Sequence, residues 1–285
     1  MRNYLDKLSQ IIAIAIEEDQ ALFDVTSDTT LEDSYQVNFA INSRQDITLA
    51  GIDAAHIVIA QLKDSQKFAN CQITFQNHFN DGDFVASGQS IISGSANAKL
   101  LFAAERIILN TLQHLSGIAS NCNNYVKTLN DPNITILDTR KTTIALRELE
   151  KYAVSCSGAV NHRNNLSDCI LIKDNHIASN SSITETLIKA KVNNKNNLPI
   201  IVECDNLEQV QQVIEVGVDR IMLDNMTIEQ INQAITIINK EAQIEVSGGV
   251  NLQNIANYRG LDIDFISVGS LTHSSKAVDI GLDIN

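Results

Sequence analysis

Six short apolar runs follow one another from residue 134 onward, and they constrain the fold more than any other feature of the chain. They begin about 20 to 35 residues apart, each is followed by polar residues, and helical segments such as Leu207–Val216 stand between them. This alternation predicts βα units that form a parallel sheet or barrel. The runs are ITIL (134–137), CILI (169–172), IIV (200–202), IML (221–223), IEV (244–246) and FISV (265–268).

The number of strands bears on whether such a barrel closes. Beyond the six runs, Ala153–Gly158 is one further strand candidate. A closed barrel of the common kind has eight strands. The pattern therefore predicts either an incomplete barrel or a strand that the pattern does not reveal.

The first third of the chain has a mixed pattern. Apolar residues at helical spacing predict a helix over residues 5–20, and the alternation of apolar and polar residues from Tyr35 to Leu49 predicts strands. Further strands are predicted at Gln72–Phe75 and Phe84–Ile92, with glycines between them. This part of the chain is therefore expected to be α+β.

A strong amphipathic stripe predicts a long helix over Lys99–Leu115, with Gly117 as a C-terminal cap. Arg106 lies in the middle of this helix, and by itself it reads as a member of a surface ion pair. The pattern changes near residue 115. We therefore expect two domains, residues 1–115 and residues 116–285.

Composition and charge exclude some classes of partner. The formal net charge of −13 argues against non-specific binding to nucleic acid or to an anionic membrane, because both need a basic face. The apolar run Ile11–Ile16 is too short to span a bilayer, and a secretory signal pattern is not evident. The five cysteines form no CxxC pair and read as free thiols. We therefore expect a cytoplasmic protein.

Cations are concentrated after the first strands of the predicted array. The loops that follow parallel strands gather at one end of a barrel, and that end holds the active site. In an acidic chain, four cations at this end predict a small polyanionic ligand, although ion pairing with a neighbouring carboxylate is an alternative for each of them. The cations are Arg140, Lys141, Arg163 and Lys173.

Small residues and carboxylates follow the later strands. The segments SGG (247–249) and GSL (269–271) come after the last two runs, where backbone N–H groups can approach a phosphate. Glu203 and Asp224 lie between the cations and these segments in the chain. These carboxylates could stabilise a cationic transition state, hold hydroxyl groups, bind a metal, or form a salt bridge to Lys173 or Arg163.

Two other classes of protein compete with a transferase. One is a metal-dependent barrel lyase or hydrolase with a metal cluster made from His162, Asp174, His176, Glu203 and Asp224. The spacing of these residues fits no strict ligand motif, and the nearby cations would oppose a divalent ion. The other class is a non-catalytic protein that binds a phosphorylated metabolite.

Eight motifs, in order, carry a resemblance to a known family. They are DTRKTT, ALRELEKYAV, NHR, LIKDNHI, VECDN, IMLDNM, SGGV and SVGSLTHS. From about residue 17 to its end, the chain resembles quinolinate phosphoribosyltransferase. The resemblance implies an N-terminal α/β sandwich followed by an incomplete α/β barrel, with the C-terminal residues from 276 onward packed on the N-terminal domain.

The resemblance also implies a reaction. A phosphoribosyl group would pass from phosphoribosyl pyrophosphate to quinolinate, and the products would be nicotinate mononucleotide, carbon dioxide and pyrophosphate, in NAD biosynthesis. Magnesium would be bound mainly through the substrate, near Glu203 and Asp224. The family members are homodimers or larger homo-oligomers, in which Arg106 would be donated across the subunit interface.

The same resemblance implies a role for each matching residue. Lys141, Glu203 and Asp224 would be catalytic. The substrate anions would be held by Arg106, Arg140, His162, Arg163 and Lys173. The phosphate would be held by Ser247, Gly248, Gly249, Gly269, Ser270 and Leu271.

This sequence departs from the family pattern in two places. Ile144 and Ala145 stand where the family has Pro-Gly after DTRKTT, which restores a backbone N–H and removes the conformational freedom of a glycine. Ser155, Ser157 and Ala159 stand where arginine and glycine are usual. None of these replaces a residue with an implied role, so we expect a changed loop rather than a changed site.

Overall fold

The computed structural model describes residues 2–284, except for the side chain of Arg2. It divides into two compact units, and the chain passes between them more than once. Unit 1 contains the described residues up to Asn123, Thr143–Gly158 and the residues from Ser274 onward. Unit 2 contains Asn124–Thr142 and Ala159–His273.

A four-stranded antiparallel sheet forms the centre of unit 1. Its strands are β1 (Gln36–Ser43), β3 (Ile73–Asn77), β5 (Ser90–Asn97) and β12 (Ile280–Ile284), in the order β12-β1-β5-β3. A small second sheet pairs β2 (Ile47–Thr48) with β4 (Phe84–Val85). Because β12 pairs with β1, the C-terminal segment of the chain completes the sheet of unit 1.

Two helices, Asp53–Lys63 and Ala98–Leu129, pack against this sheet, and three others accompany them. They are α1 (Arg2–Glu18), α2 (Val25–Thr30), α3 (Asp53–Lys63), α4 (Ala98–Leu129) and α5 (Arg147–Ser155). Asp24 caps α2, since its side chain accepts the backbone N–H groups of Thr26 and Ser27. The α/β sandwich expected for this part of the chain is therefore present.

Helix α4 does not end where the sequence suggested. The predicted cap Gly117 lies inside the helix, and apolar residues such as Ile118 and Cys122 continue its buried stripe. A Cβ atom at Gly117 would lie 2.2 Å from the carbonyl oxygen of Lys276, so glycine permits a close approach of another backbone segment. The predicted domain boundary after residue 115 therefore falls within a continuous helix.

The further strand candidate Ala153–Gly158 was wrong. Residues up to Ser155 belong to α5, where Leu149 and Ala153 are buried at a spacing of four residues. The helical spacing of the buried residues, and not the short apolar run, determined the secondary structure of this segment.

All six predicted strands of the second half are confirmed. They are β6 (Thr135–Leu137), β7 (Ile170–Ile172), β8 (Ile200–Cys204), β9 (Arg220–Asp224), β10 (Gln243–Ser247) and β11 (Phe265–Ser267). They form one parallel sheet in the order β6-β11-β10-β9-β8-β7. Within the described residues, β6 and β7 are its two edges, so the α/β barrel is incomplete.

Helices α6 (Asp174–Ala178), α7 (Ile183–Asn193), α8 (Leu207–Val216) and α9 (Ile228–Ile238) lie between strands of this sheet, and α10 (Ser270–His273) follows its last strand. Thr227 and Gln230 form a capping box that starts α9. Helix α7 ends at Asn193, and a turn leads from it to β8. None of the helices in residues 2–284 has an apolar stretch long enough to cross a bilayer.

One face of the parallel sheet has an apolar layer and, above it, a polar layer. Cys169, which directly precedes β7, forms a buried cluster with Ile201 on β8 and Met222 on β9, and Leu171 packs against it. Side chains alternate along a strand, so Glu203 and Asp224 lie two residues beyond Ile201 and Met222 on the same face. The two carboxylates therefore lie at the carboxyl ends of the strands, above the apolar cluster.

Candidate active site

A cavity of about 440 Å³ lies at the carboxyl ends of the strands of unit 2. Eight of the residues that the sequence singled out line it together, so the positions that are far apart in the chain do converge. Its lining consists of Thr139, Arg140, Lys141, His162, Arg163, Leu171, Lys173, Glu203, Met222, Asp224, Ser247 and Ser267.

The loop after β6 brings two of the cations to this cavity. The buried Asp138 accepts the backbone N–H of His162 at 2.8 Å, which ties the DTRKTT segment to the NHR segment. Thr272 donates its hydroxyl to the carbonyl oxygen of Lys141 at 2.7 Å. The backbone that carries Arg140 and Lys141 is therefore anchored at both ends within unit 2.

Two cations remain available to an anion. Lys141 is exposed and Arg163 is half-buried, and within the described part of the chain neither of them forms an ion pair. Two cations in one cavity without a protein carboxylate partner create a positive potential that an anionic ligand can neutralise.

Lys173 shows the alternative that the sequence left open. Its Nζ forms a salt bridge with Oε2 of Glu203 on the neighbouring strand β8. The Lys173 backbone N–H donates to Nδ1 of His176 at 3.0 Å, which caps α6. A ligand at this point would therefore meet a paired cation and carboxylate rather than two separate charges.

The loop after β10 approaches the loop after β9 closely. A Cβ atom at Gly248 would lie 2.2 Å from Oδ1 of Asn225, and φ at Gly248 is +87°. At Gly249 φ is +66°, and a Cβ atom there would have no neighbour within 4 Å. The second glycine therefore leaves space above its backbone, as a phosphate site requires.

The loop after β11 offers backbone rather than side-chain contacts. Gly269 lies next to the side chain of Lys141, since a Cβ atom at Gly269 would lie 2.9 Å from Lys141 Cδ. The hydroxyl of Ser270 lies 3.1 Å from that of Tyr125. Leu271 is fully buried, so only its backbone can serve the predicted phosphate site.

His162 has contacts that differ from those the sequence suggested. Its Nδ1 accepts the backbone N–H of Arg163 at 2.7 Å, and its Nε2 lies 3.3 Å from Oε1 of Glu245. Nδ1 is therefore engaged by the backbone, whereas the approach of Nε2 to Glu245 does not have the geometry of a hydrogen bond. The expected direct contact of the imidazole with a substrate carboxylate has a competitor at Nδ1.

Glu245 is the residue that the sequence analysis missed. It lies within the apolar run IEV, is fully buried, and also contacts Ser267 and Arg220, the latter at 3.0 Å. Burial alone would raise the pKa of this carboxyl, but the nearby His162 and the hydrogen bonds from Ser267 and Arg220 outweigh it and lower the pKa. A charged residue inside a buried strand was the available signal, because such a residue needs a partner.

The metal cluster considered above is not formed. Among residues 2–284, no group of three or more histidine, cysteine, aspartate or glutamate side chains is placed to hold a metal ion. His176 caps α6 and Glu203 pairs with Lys173. These side chains therefore do not form a metal cluster, and the cavity is lined by cations instead.

Arg106 is the one predicted site residue in the other unit. It lies on the exposed side of α4 in unit 1, where it borders a cavity of about 300 Å³ together with His114 and Leu149. The implied contact of Arg106 with a substrate carboxylate therefore stays a prediction.

An incomplete α/β barrel with a cationic cavity at the carboxyl ends of its strands defines a class of enzymes that bind small anionic substrates. Within this class, the chain belongs to the quinolinate phosphoribosyltransferase family. Residues 24–116 match the N-terminal domain of that family and residues 118–283 match its C-terminal domain.

Individual relatives agree with the family assignment. Nicotinate-nucleotide pyrophosphorylase (carboxylating) of Mycobacterium leprae is 35% identical, over 98% of each chain. A nicotinate-nucleotide pyrophosphorylase from Ehrlichia chaffeensis has a solved structure that superposes with a TM-score of 0.90, at 41% identity, over 97% of this chain and 98% of that one. NadC from Streptococcus pyogenes gives a TM-score of 0.90 at 39% identity, over 97% and 96%.

Proposed function

We propose that this protein is a carboxylating nicotinate-nucleotide pyrophosphorylase. It transfers the phosphoribosyl group of phosphoribosyl pyrophosphate to quinolinate and releases carbon dioxide and pyrophosphate. The observation that carries the proposal is the cavity of unit 2, in which Arg140, Lys141 and Arg163 lie with Glu203 and Asp224 in a member of this family.

Quinolinate is a planar dianion, and guanidinium groups suit its two carboxylates. Arg140 and Arg163 line the cavity and can each donate two parallel hydrogen bonds to a carboxylate. Leu171 and Met222 form an apolar surface at the same cavity, on which an aromatic ring can rest. These residues would hold the ring so that its nitrogen faces the ribose.

The phosphate of phosphoribosyl pyrophosphate needs backbone donors and a nearby cation. The loops Ser247–Gly249 and Gly269–Leu271 supply the backbone, and Lys141 lies directly beside Gly269. The open space above Gly249 supports this placement. We therefore assign Lys141 to the anionic part of the sugar phosphate, next to the site of bond breaking.

The carboxylates suit the charge that develops on the sugar. When pyrophosphate departs, positive charge appears on the ribose, and Glu203 and Asp224 on adjacent strands can stabilise it. The quinolinate nitrogen then forms a bond to the anomeric carbon. Holding the two substrates in this geometry accounts for several kcal/mol of the barrier.

Decarboxylation follows from the charge of the product ring. Once the ring nitrogen is cationic, the bond to the neighbouring carboxylate can break, and its electron pair stays on the adjacent ring carbon. That carbon takes up a proton, which gives nicotinate mononucleotide. Because one carboxylate has left, the arginines hold the product less strongly than they held the dianion.

Magnesium fits this site as a partner of the substrate. Glu203 and Asp224 offer hard oxygen ligands at one wall of the cavity, although Glu203 is also paired with Lys173. A magnesium ion bound there would neutralise the pyrophosphate that departs. Few protein ligands are needed when the phosphates of the substrate supply the others.

We further propose that the enzyme acts in the cytoplasm as a homodimer or a larger homo-oligomer. The exposed position of Arg106 on α4 supports its donation to the active site of a second copy, where it would add a third guanidinium to the quinolinate site.

The reaction itself is the decisive test. The purified protein should form nicotinate mononucleotide and release carbon dioxide when it is incubated with quinolinate, phosphoribosyl pyrophosphate and magnesium. Nicotinate in place of quinolinate is the control and should give little product. If the protein binds both substrates but releases no carbon dioxide, it is a non-catalytic binding protein and the proposal fails.

A further inference from the structure

Asn225 directly follows Asp224 at the end of β9, and its backbone has a conformation that few residues adopt. Its φ is +54°, in the left-handed region, which asparagine enters more readily than most other residues. Its backbone N–H donates to the carbonyl oxygen of Ser247 at 3.0 Å, so the chain stays tied to β10 directly after β9. The side chain of Asn225 therefore starts from a fixed backbone, where the loops after β9 and β10 meet.

The side-chain amide of Asn225 lies between Asp224 and Gly248. Its Nδ2 donates to Oδ2 of Asp224 at 2.6 Å. Its Oδ1 lies on the side of Gly248, where a Cβ atom on that residue would be only 2.2 Å away. Charge favours this orientation, because a carboxylate attracts the NH₂ group of an amide and repels its oxygen. Glycine at position 248 leaves the space that the amide occupies.

The two carboxylates of the cavity are held in different ways. Glu203 forms a salt bridge with Lys173. Asp224 forms no ion pair within residues 2–284, and the amide of Asn225 is the one side chain there that donates a hydrogen bond to its carboxylate. A half-buried carboxylate without a cationic partner can rotate about its side-chain torsions. The short hydrogen bond from Asn225 therefore decides which way the Asp224 carboxylate points.

We propose that Asn225 is a positioning residue for phosphoribosyl transfer, which holds the carboxylate of Asp224 towards the sugar. The hydrogen bond to Oδ2 fixes this carboxylate and leaves Oδ1 available to the positive charge that develops on the ribose. A group that is oriented before the reaction needs no rearrangement when the charge appears, which lowers the barrier. Asp224 lines the cavity, whereas Asn225 does not. The inference rests on the proposed function, because the ribose is the group that Asp224 would face.

Two substitutions separate the hydrogen bond from the backbone conformation and from the shape of the side chain. Asn225→Gly removes the amide, while glycine keeps the left-handed conformation without steric cost. Asn225→Asp keeps the shape but replaces the donor with a second carboxylate, which repels Asp224. Each variant should lower kcat at least fivefold, because the Asp224 carboxylate acts on a charge that appears only in the transition state. The Kd of quinolinate for Asn225→Gly, measured by titration calorimetry, should stay within twofold of the wild type.

Asn239 supplies the matched control. It is also an asparagine with positive φ, +44°, but it is the exposed C-terminal cap of α9. Asn239→Gly and Asn239→Asp should both keep the wild-type kcat. A loss of kcat smaller than fivefold in either folded Asn225 variant, or an equal loss at Asn239, would overturn the proposal. If Asn225→Gly does not fold, Asn225→Asp decides alone, because it keeps the shape of the side chain.

A double-mutant cycle with Asp224→Ala tests whether Asn225 acts through Asp224. Asp224→Ala removes the group that Asn225 would position, so the further change Asn225→Gly should lower kcat less than twofold in that background. A further loss of twofold or more would show that Asn225 acts on the substrate or on the loop at Gly248 instead, which overturns the proposal. The readout is the rate of carbon dioxide release. If the wild type itself releases none, the proposed function has failed, and not the role of Asn225 alone.

Discussion

Nε2 of His114 lies 3.1 Å from Oε1 of Glu150, and the other oxygen of this carboxylate accepts the backbone N–H of Thr143 at 3.1 Å. Glu150 is fully buried and joins α4, α5 and the last residue of DTRKTT within unit 1. Burial alone would raise the pKa of Glu150, but the hydrogen bonds from His114 and Thr143 outweigh it and lower the pKa below 4.5.

The lowered pKa of Glu150 predicts an acid-sensitive part of the stability. A carboxyl whose pKa is lower in the folded state stabilises the fold above its unfolded pKa, and this contribution is lost as pH falls through the folded pKa. Glu150→Gln should therefore lower the free energy of unfolding at pH 7 by about 1–3 kcal/mol. It should also flatten the decline below pH 4.5 in urea unfolding curves. Glu208→Gln, at an exposed position on α8, is the control and should keep the wild-type slope.

Lys141 should matter for turnover and not for folding. It is exposed, lines the cavity, and forms no ion pair within the described residues, so its charge is available to the substrate. Lys141→Ala should lower kcat/KM at least about 100-fold, which corresponds to about 2.7 kcal/mol of transition-state stabilisation. Its melting temperature should stay that of the wild type. Lys195→Ala, in an exposed loop of unit 2, is the control and should be fully active. Near-normal kinetics for Lys141→Ala would show that Lys141 does not take part in catalysis.

Gly248 and Gly249 should respond differently to alanine. Both have positive φ, but only at Gly248 would the new Cβ collide with Asn225. Gly248→Ala should therefore destabilise the protein by more than about 2 kcal/mol in thermal or urea unfolding. Gly249→Ala should cost about 1 kcal/mol of stability and mainly raise the KM for phosphoribosyl pyrophosphate. Equal effects of the two variants on stability would contradict the assigned geometry.

Ala145 has a strained backbone conformation. It has φ of +66°, a left-handed conformation that alanine adopts at a cost. Ala145→Gly should therefore raise the free energy of unfolding by about 0.5–1 kcal/mol. At Ala242, which is outside the positive-φ residues, the same change should lower stability instead. Stabilisation at both positions, or at neither, would show that backbone strain is not the cause.

Donation of Arg106 across an interface predicts complementation. Arg106→Ala and Lys141→Ala should each be nearly inactive alone. After the two are unfolded together and refolded, mixed dimers contain one site with both residues intact, so about a quarter of the wild-type activity should return. No recovery, with mixed dimers shown by mass spectrometry, would place Arg106 and Lys141 in the same subunit's site or Arg106 outside it.

Much of unit 2 was predictable because its signals are local. A parallel strand buried on both faces appears as a short apolar run, and the charged residues at its end appear directly after it. The six strands and the convergence of Arg140, Lys173, Glu203 and Asp224 follow from this rule. The glycine loops were visible for the same reason.

The rest depended on contacts between distant segments. Gly117 looks like a helix end, yet α4 continues through it, and the glycine instead permits the close approach of the backbone at Lys276. Residues 143–158 interrupt the barrel sequence and belong to unit 1, which no periodicity reveals. The C-terminal strand β12 likewise finds its partner β1 at the other end of the chain.

The sequence by itself determined which residues carry the chemistry, since charge and strand periodicity are properties of short segments. The tertiary structure decided how those residues are used. It paired Lys173 with Glu203, left Lys141 and Arg163 available, and placed Glu245 beneath His162. The physical reason is that the partner of a charged or polar group is set by proximity in space, and a buried carboxylate such as Glu245 has to be hydrogen-bonded by whichever strands lie beside it.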